Sequence, residues 1–181
     1  TVYMGNDKNL GNCSCMSFQA RYLKGIAAGM LTKTGKIGTV GSHPIHEIIR
    51  NIIAVAIGAR SVNLKAIVNV IWINAWFYPH KDAEATKVLI EIGHDVLFTT
   101  TDTPNVVIHA QNTWKEYGKE IWSMGNDAPM GSFGPDRYVT GMMFFRNVIL
   151  WTYRWSTCRG WIENEFPMEW GLKQNCVALS P

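Results

Sequence analysis

The chain has few charges, no long apolar stretch and none of the short motifs that announce catalysis. Charged residues make up 17% of the 181 positions, against the ~25% usual for soluble domains, and Lys plus Arg exceed Asp plus Glu by only three, 17 against 14. The basic residues are scattered, which excludes the clustered positive face of a nucleic-acid binder. No run reaches the 18 or so apolar residues of a membrane span: Ala66 to Phe77 is broken by Asn69 and Asn74, and Met142 to Trp151 by Arg146 and Asn147. There is no GxSxG elbow, phosphate loop or dinucleotide fingerprint around Gly35, Gly38 and Gly41, so nothing in the sequence predicts turnover. His43-Pro44-Ile45-His46-Glu47 matches neither HExxH nor HxxEH; it reads as a loop leading into a helix, with Glu47 at the positive end of the helix dipole, and no metal is assigned to it. The four cysteines, Cys13, Cys15, Cys158 and Cys176, permit disulfides but fix no pairing, and Cys13 and Cys15 read equally as free thiols in a loop. Asn12-Cys13-Ser14 fits a glycosylation sequon. The chain opens without a basic start or a cleavage pattern, so no targeting signal is legible.

What is present is an apolar interior. Hydrophobic residues reach 47%, with eight tryptophans, enough for one domain with a substantial core and a thinly charged surface. Arg21 to Leu31 reads as a helix with Tyr22, Leu23, Ile26, Ala27 and Met30 as its apolar residues. Ile45, Ile48, Ile49, Ile52, Ile53 and Ala56 recur at spacings of three and four between Pro44 and Gly58, predicting a helix with one buried stripe. Ala66 to Ile73 reads as a buried central strand. Pro79 opens a helix with Ala85, Val88, Leu89 and Ile92 inward and Gly93 at its end. Strands are expected at 36–40, 95–99, 120–124 and 138–142, helices at 104–117 and 143–155, and a last short strand at 176–179. Strands alternating with helices of a dozen residues imply right-handed crossovers and an α/β fold with a mostly parallel sheet flanked by helices.

In such sheets ligands bind beyond the carboxyl ends of the strands. Three loops stand there. Asn74-Ala75-Trp76-Phe77-Tyr78-Pro79 follows one strand, Thr99-Thr100-Thr101-Asp102-Thr103-Pro104 another, and Asn126-Asp127-Ala128-Pro129 a third. Trp76 and Phe77 either stack on a planar ligand or pack their loop onto the next helix. Asp102 and Asp127 either bond a ligand's polar edge or serve Asx turns and helix caps.

Taken together in this order, the stretch Gln19 to Gly38, Pro44 to Arg50, Gly58 to Asn63, Trp76-Phe77-Tyr78-Pro79, Thr101-Asp102-Thr103-Pro104, Ser132-Phe133-Gly134-Pro135-Asp136 and Trp170-Gly171-Leu172-Lys173 resembles the basic membrane protein family. These are substrate-binding lipoproteins of ABC transporters, purine-nucleoside receptors among them. The resemblance spans nearly the whole chain. It implies a type I periplasmic-binding-protein-like, two-lobed fold, an extracytoplasmic location, an ABC permease as partner and no enzymatic activity or cofactor. It also implies a purine nucleoside or nucleobase as ligand, stacked on the aromatic at Trp76 and bonded by the carboxylate at Asp127, with Thr101 and Asp102 on the adjoining rim and Asn74 and Phe77 beside them. Residues 1–34, with a strand at Val2 to Met4 and the helix from Arg21, are expected to be remnants of a first lobe, 35–142 a Rossmann-like second lobe, and 143–181 a helix and tail returning to the first. Where family members carry a second acidic residue this chain has Pro129, Tyr78 replaces an Asp before Pro79, and Phe144-Phe145-Arg146 replaces a Trp-Asn-Trp-like stretch. A first lobe this incomplete implies an uncovered inter-lobe face, to be covered by a missing first-lobe partner or by self-association, and a purely structural assembly role is the alternative to ligand binding.

Overall fold

A computed structural model of the chain describes residues 13–145, 147–159 and 168–181; the expected strand at Val2 to Met4 and the sequon at Asn12 lie outside them. The chain runs β1 (Cys13–Cys15), α1 (Ser17–Leu31), β2 (Lys36–Gly41), α2 (His46–Val62), β3 (Ile67–Trp72), α3 (Pro79–Glu91), β4 (Val96–Thr99), α4 (Asn105–Tyr117), β5 (Trp122–Gly125), β6 (Tyr138–Phe144), α5 (Asn147–Arg159), β7 (Met168–Trp170) and β8 (Val177–Leu179). Six strands form one sheet in the order β3-β2-β4-β5-β6-β8, and β1 and β7 form a separate parallel pair. All neighbours in the large sheet are parallel except β6 and β8. This is the α/β class read from the alternating pattern, and among the described residues no helix is long and apolar enough to cross a membrane.

Each central strand buries both faces, as parallel strands between helix layers must. Val96 and Phe98 of β4 enter a core with Ile37, Ile48, Ile52 and Val55, beneath α1 and α2. Leu97 between them points to the other face, where Val40, Leu89, Val106, Ala110 and Ile121 pack beneath α3 and α4.

Several elements depart from expectation. β3 is not central but, among the described residues, the outermost strand of the sheet, paired with β2 alone. Of the isoleucine stripe on α2, Ile48 and Ile52 are buried while Ile45, Ile49 and Ile53 are exposed; on α3, Ala85 and Leu89 are buried while Val88 and Ile92 are exposed. The helix after Pro44 does not stop at Gly58 but runs to Val62, and Gly58 sits in mid-helix, where a Cβ would lie 2.1 Å from the carbonyl oxygen of Tyr22. β6 extends to Phe144 by pairing with β8, which delays α5 from residue 143 to 147.

α1 is the largest reversal. Its expected apolar residues Tyr22, Leu23 and Met30 are exposed, Met30 by 74%, while Ala20, Arg21, Lys24, Gly25, Ala28 and Gly29 are buried. A Cβ on Gly25 would lie 2.2 Å from the Val55 carbonyl oxygen and one on Gly29 would lie 2.5 Å from that of Ala59, so small residues are what let the two helices touch backbone to backbone. α1 packs on α2 and contributes Ala28 to the core of the sheet. Cys15 is not a loop thiol either: it stands in β1 and is disulfide-bonded to Cys176, 161 residues away, while Cys158 is a free, exposed thiol.

Candidate functional site

The chain steps from β2 outward to β3 and then back across to β4, so the reversal of strand order falls between β2 and β4. The crevice beyond their carboxyl ends is the ground on which α/β folds bind ligands. Here Ser42 follows β2 and Thr100 follows β4, and the two are locked: the Ser42 N–H donates to Thr100 Oγ1 (3.0 Å) and the Thr100 N–H to the Val40 carbonyl (3.1 Å). Next to them the Asp102 N–H donates to the Trp76 carbonyl at 2.9 Å. That bond joins the aromatic loop after β3 to the carboxylate loop after β4. Trp76 is 44% exposed and Phe77 more so, and the His43 ring stands 5.2 Å from Trp76, tilted by 58°.

Asn74 adopts a left-handed backbone (φ 54°), which turns the chain off β3, and it lines a groove between β3 and α3 rather than the crevice proper. Thr101 faces inward and is fully buried; its hydroxyl donates to Asp82 on α3, as does that of Thr103 at 2.8 Å, and Thr99 shares its Oγ1 with Thr101 at 2.7 Å. Thr101 therefore ties the rim to α3, and Asp102 beside it is the exposed member. Among the described residues Asp82 Oδ1 has no hydrogen-bond partner. Burial pushes the Asp82 carboxyl up from its usual range, against the pull of its threonine hydrogen bonds. A raised carboxyl binds its proton more tightly folded than unfolded, so it costs stability as pH rises above about 3.8. Asp82→Asn is expected to flatten that acid-side decline in thermal midpoint, and an unchanged slope would remove Asp82 as its source.

Asp127, also left-handed (φ 59°), projects from the loop after β5 with two-fifths of its side chain exposed (40%). Its carboxyl is held above the usual range chiefly by burial and further by repulsion from Asp102, with Arg21 and Lys24 opposing. The two aspartates thus share one rim. Arg21 comes from α1, its Nη2 donating to Asn126 Oδ1 at 2.6 Å and to Asp127 Oδ1 at 3.4 Å, and Lys24 Nζ donates to the Gly125 carbonyl at 3.3 Å over the face of Phe98. Arg21 and Lys24 were not legible as site residues; their one signal is two cations three apart on a helix otherwise free of charge until Leu31. Among the described residues no three His, Cys, Asp or Glu side chains converge on a metal-sized point.

The family model for Bmp, described as ABC transporter substrate-binding protein PnrA-like, matches residues 2–180. The chain belongs to this family. A relative from Haloferax volcanii, provisionally named ABC transporter glucose-binding protein TsgA13, is 41% identical over 132 residues, covering 73% of this chain and 32% of its own length. A Brucella abortus protein named as purine-binding is 29% identical over 180 residues, covering 96% of this chain and 47% of its own. The chain therefore spans a third to a half of the length of these two curated relatives. Among solved structures, a solute-binding protein of an ABC transporter system from Aeropyrum pernix K1 superposes with a TM-score of 0.75 at 18% identity, over 98% of this chain and 52% of that one. This likeness carries the fold: the Bmp chain has the architecture of type I periplasmic binding proteins.

Proposed function

We propose that this Bmp chain is the ligand-binding lobe of an extracytoplasmic solute-binding protein that takes a purine nucleoside or nucleobase. The observation that carries the reading is the hydrogen bond from the Asp102 N–H to the Trp76 carbonyl. It holds an exposed indole beside the rim shared by Asp102 and Asp127. A purine has two flat faces for the indole to cover and a polar edge or ribose diol for carboxylates to accept from, which is the chemistry this rim supplies. Phe77 extends the apolar side of the rim, Thr101 holds Asp102 in place, and Asn74 turns the loop that carries Trp76. Residues 35–142 with α1 form this lobe, and β1, α5 and β7 are the segments that would join a first lobe. Closure of that lobe over the rim, favoured by ligand, would present the closed form to an ABC permease. The Cys15–Cys176 disulfide suits an oxidising, extracytoplasmic compartment.

A sugar is the second ligand class to test, because the Haloferax relative is named for glucose and an indole also covers the apolar face of a pyranose. Thermal shift and Trp fluorescence are titrated with adenosine, guanosine, inosine, their bases and glucose. A purine is expected to give saturable quenching and to stabilise the fold by about 2.7 kcal/mol at a hundred times its dissociation constant. Trp76→Ala is expected to abolish the quenching while leaving the unliganded midpoint close to that of the parent, since Trp76 lies in an exposed loop. Response to glucose alone would replace purine by sugar. A flat response to all of them on folded protein would overturn ligand binding by this lobe and favour assembly through the inter-lobe face.

A further inference from the structure

Asp82 is a buried carboxyl that the core does not need. It stands in the first turn of α3 with none of its surface exposed, on the inward side that also carries Ala85 and Leu89. Among the described residues its Oδ1 has no hydrogen-bond partner. An apolar side chain would fill this position without the desolvation that a carboxyl suffers there. Departures of this kind from core chemistry mark functional or strained sites.

The other oxygen shows what the carboxyl holds. Oδ2 accepts the hydroxyl of Thr101 and, at 2.8 Å, the hydroxyl of Thr103. These residues flank Asp102 on either side, and both are buried while Asp102 is exposed. A threonine hydroxyl has one proton to give. Thr101, having given its own to Asp82, is therefore the acceptor in its 2.7 Å contact with the Thr99 hydroxyl, and its N–H returns to Thr99 Oγ1 at 3.0 Å. Every second residue from Thr99 to Thr103 is fastened inward, which leaves Asp102 turned out.

The same residue closes the helix that follows the aromatic loop. The Asp82 N–H donates to the Tyr78 carbonyl at 3.0 Å, forming the first turn of α3 directly behind Trp76-Phe77-Tyr78. Two more bonds join the loops: the Asp102 N–H to the Trp76 carbonyl at 2.9 Å, and Asn105 Nδ2 to the Pro79 carbonyl at 2.8 Å. Asp102 and the Asn105 bond are exposed, whereas both threonine bonds to Asp82 are buried. Water competes for the exposed bonds and not for the buried ones, so the buried pair sets the geometry.

We infer that Asp82 is a positioning residue for the ligand: by holding Thr101 and Thr103 it turns Asp102 outward and keeps the Asp102 N–H on the Trp76 carbonyl, so that indole and carboxylate meet the ligand as one unit. This role rests on the purine-binding reading of the rim. Asp82 is wholly buried and does not touch the ligand. Its effect is to fix two exposed groups before the ligand arrives, which removes the cost of ordering them from binding.

The test reads the clamp first without ligand and then with it. In the full chain, exchange of the Asp102 amide is measured against that of Leu97 in the core, for the parent, Asp82→Ala, Asp82→Asn and Thr103→Val. Ser17→Ala, which removes a buried hydrogen bond between α1 and α2, is the control. Adenosine, guanosine and inosine are then titrated by Trp fluorescence. Asp82→Ala and Thr103→Val are expected to speed Asp102 exchange relative to Leu97 roughly tenfold or more, the size of one lost hydrogen bond to a charged group, and to weaken the purine by a similar factor. Asp82→Asn, whose amide oxygen can accept the same two hydroxyls, is expected to restore both. Ser17→Ala is expected to lower the thermal midpoint and to change neither. If Asp82→Ala does not fold, Thr103→Val decides, since it removes one donor and opens no cavity. Asp102 exchange equal to the parent's in the folded variants overturns the clamp, and faster exchange with unchanged purine affinity overturns its role in binding. Faster exchange in the variants with no purine response from the parent leaves the clamp standing and overturns the purine reading instead.

Discussion

Gly58→Val is expected to destabilise the chain by about 3 kcal/mol or more, the upper end of what overpacking costs and a large part of the 5–15 kcal/mol that holds a domain together. The reason is where the new atoms go. A Cβ at Gly58 meets the carbonyl oxygen of Tyr22 at 2.1 Å and the backbone nitrogen of Ile26 at 3.1 Å. Neither belongs to a side chain that could swing away, so α1 and α2 must separate. Ser17 Oγ would lose Asn51 Oδ1, now 3.0 Å away, and Arg21 would be drawn off Asn126 and Asp127. The control is Gly118→Ala: Gly118 caps α4 in a left-handed conformation (φ 65°) with nothing within 4 Å of a Cβ, so it is expected to cost only about 1 kcal/mol through the backbone. Urea unfolding checks both, as a fall in midpoint at unchanged slope. If Gly58→Val matches the parent, the close helix crossing is wrong.

Lys24→Met is expected to raise stability at neutral pH by about 1–4 kcal/mol, the range seen when buried charge gives way to a well-packed apolar side chain. Lys24 is fully buried. Its ammonium has the Gly125 carbonyl and the Phe98 ring as neighbours, and among the described residues no carboxylate lies within ion-pair distance of it. Burial pulls its pKa well below 10.5, repulsion from Arg21 adds to this, and Asp127 opposes it. The folded chain thus releases this proton at lower pH than the unfolded chain. Between the lowered folded value and 10.5 the unfolded state holds more protons, so stability rises with pH through that window and falls back toward neutrality. Unfolding free energies from pH 6 to 10 should climb in the parent and lie flat in Lys24→Met. A parent profile that is flat or declining would mean that Lys24 is solvated or paired.

Much of the fold was readable from the chain because its signals are local. Pro79 at a helix start, Gly93 at a helix end and the strands expected at 36–40 and 95–99 each follow from backbone sterics and apolar spacing within a dozen residues. The loops carrying Trp76, Asp102 and Asp127 were placed at strand ends for the same reason. Burial was less legible. α1 presents Tyr22, Leu23 and Met30 outward and Arg21 and Lys24 inward because its fit against α2 demands small residues at 25 and 29, and that demand comes from another segment. Thr101, adjacent to Asp102 in sequence, serves Asp82, which is nineteen residues earlier.

The sequence by itself determined the class of fold, the order of its elements and the three loops that meet beyond the strand ends. Periodicity and turn chemistry act over a few residues and leave their mark in composition. Only the tertiary structure decided that β3 is an edge, that Cys15 joins Cys176, and that two buried cations from α1 stand behind Asp127. The disulfide and the two cations' contacts span 101 to 161 residues, and no local pattern records which distant backbone will fill the space beside a side chain. β3 shows the difference most directly: its composition is that of a strand with neighbours on both sides, and among the described residues the fold supplies one.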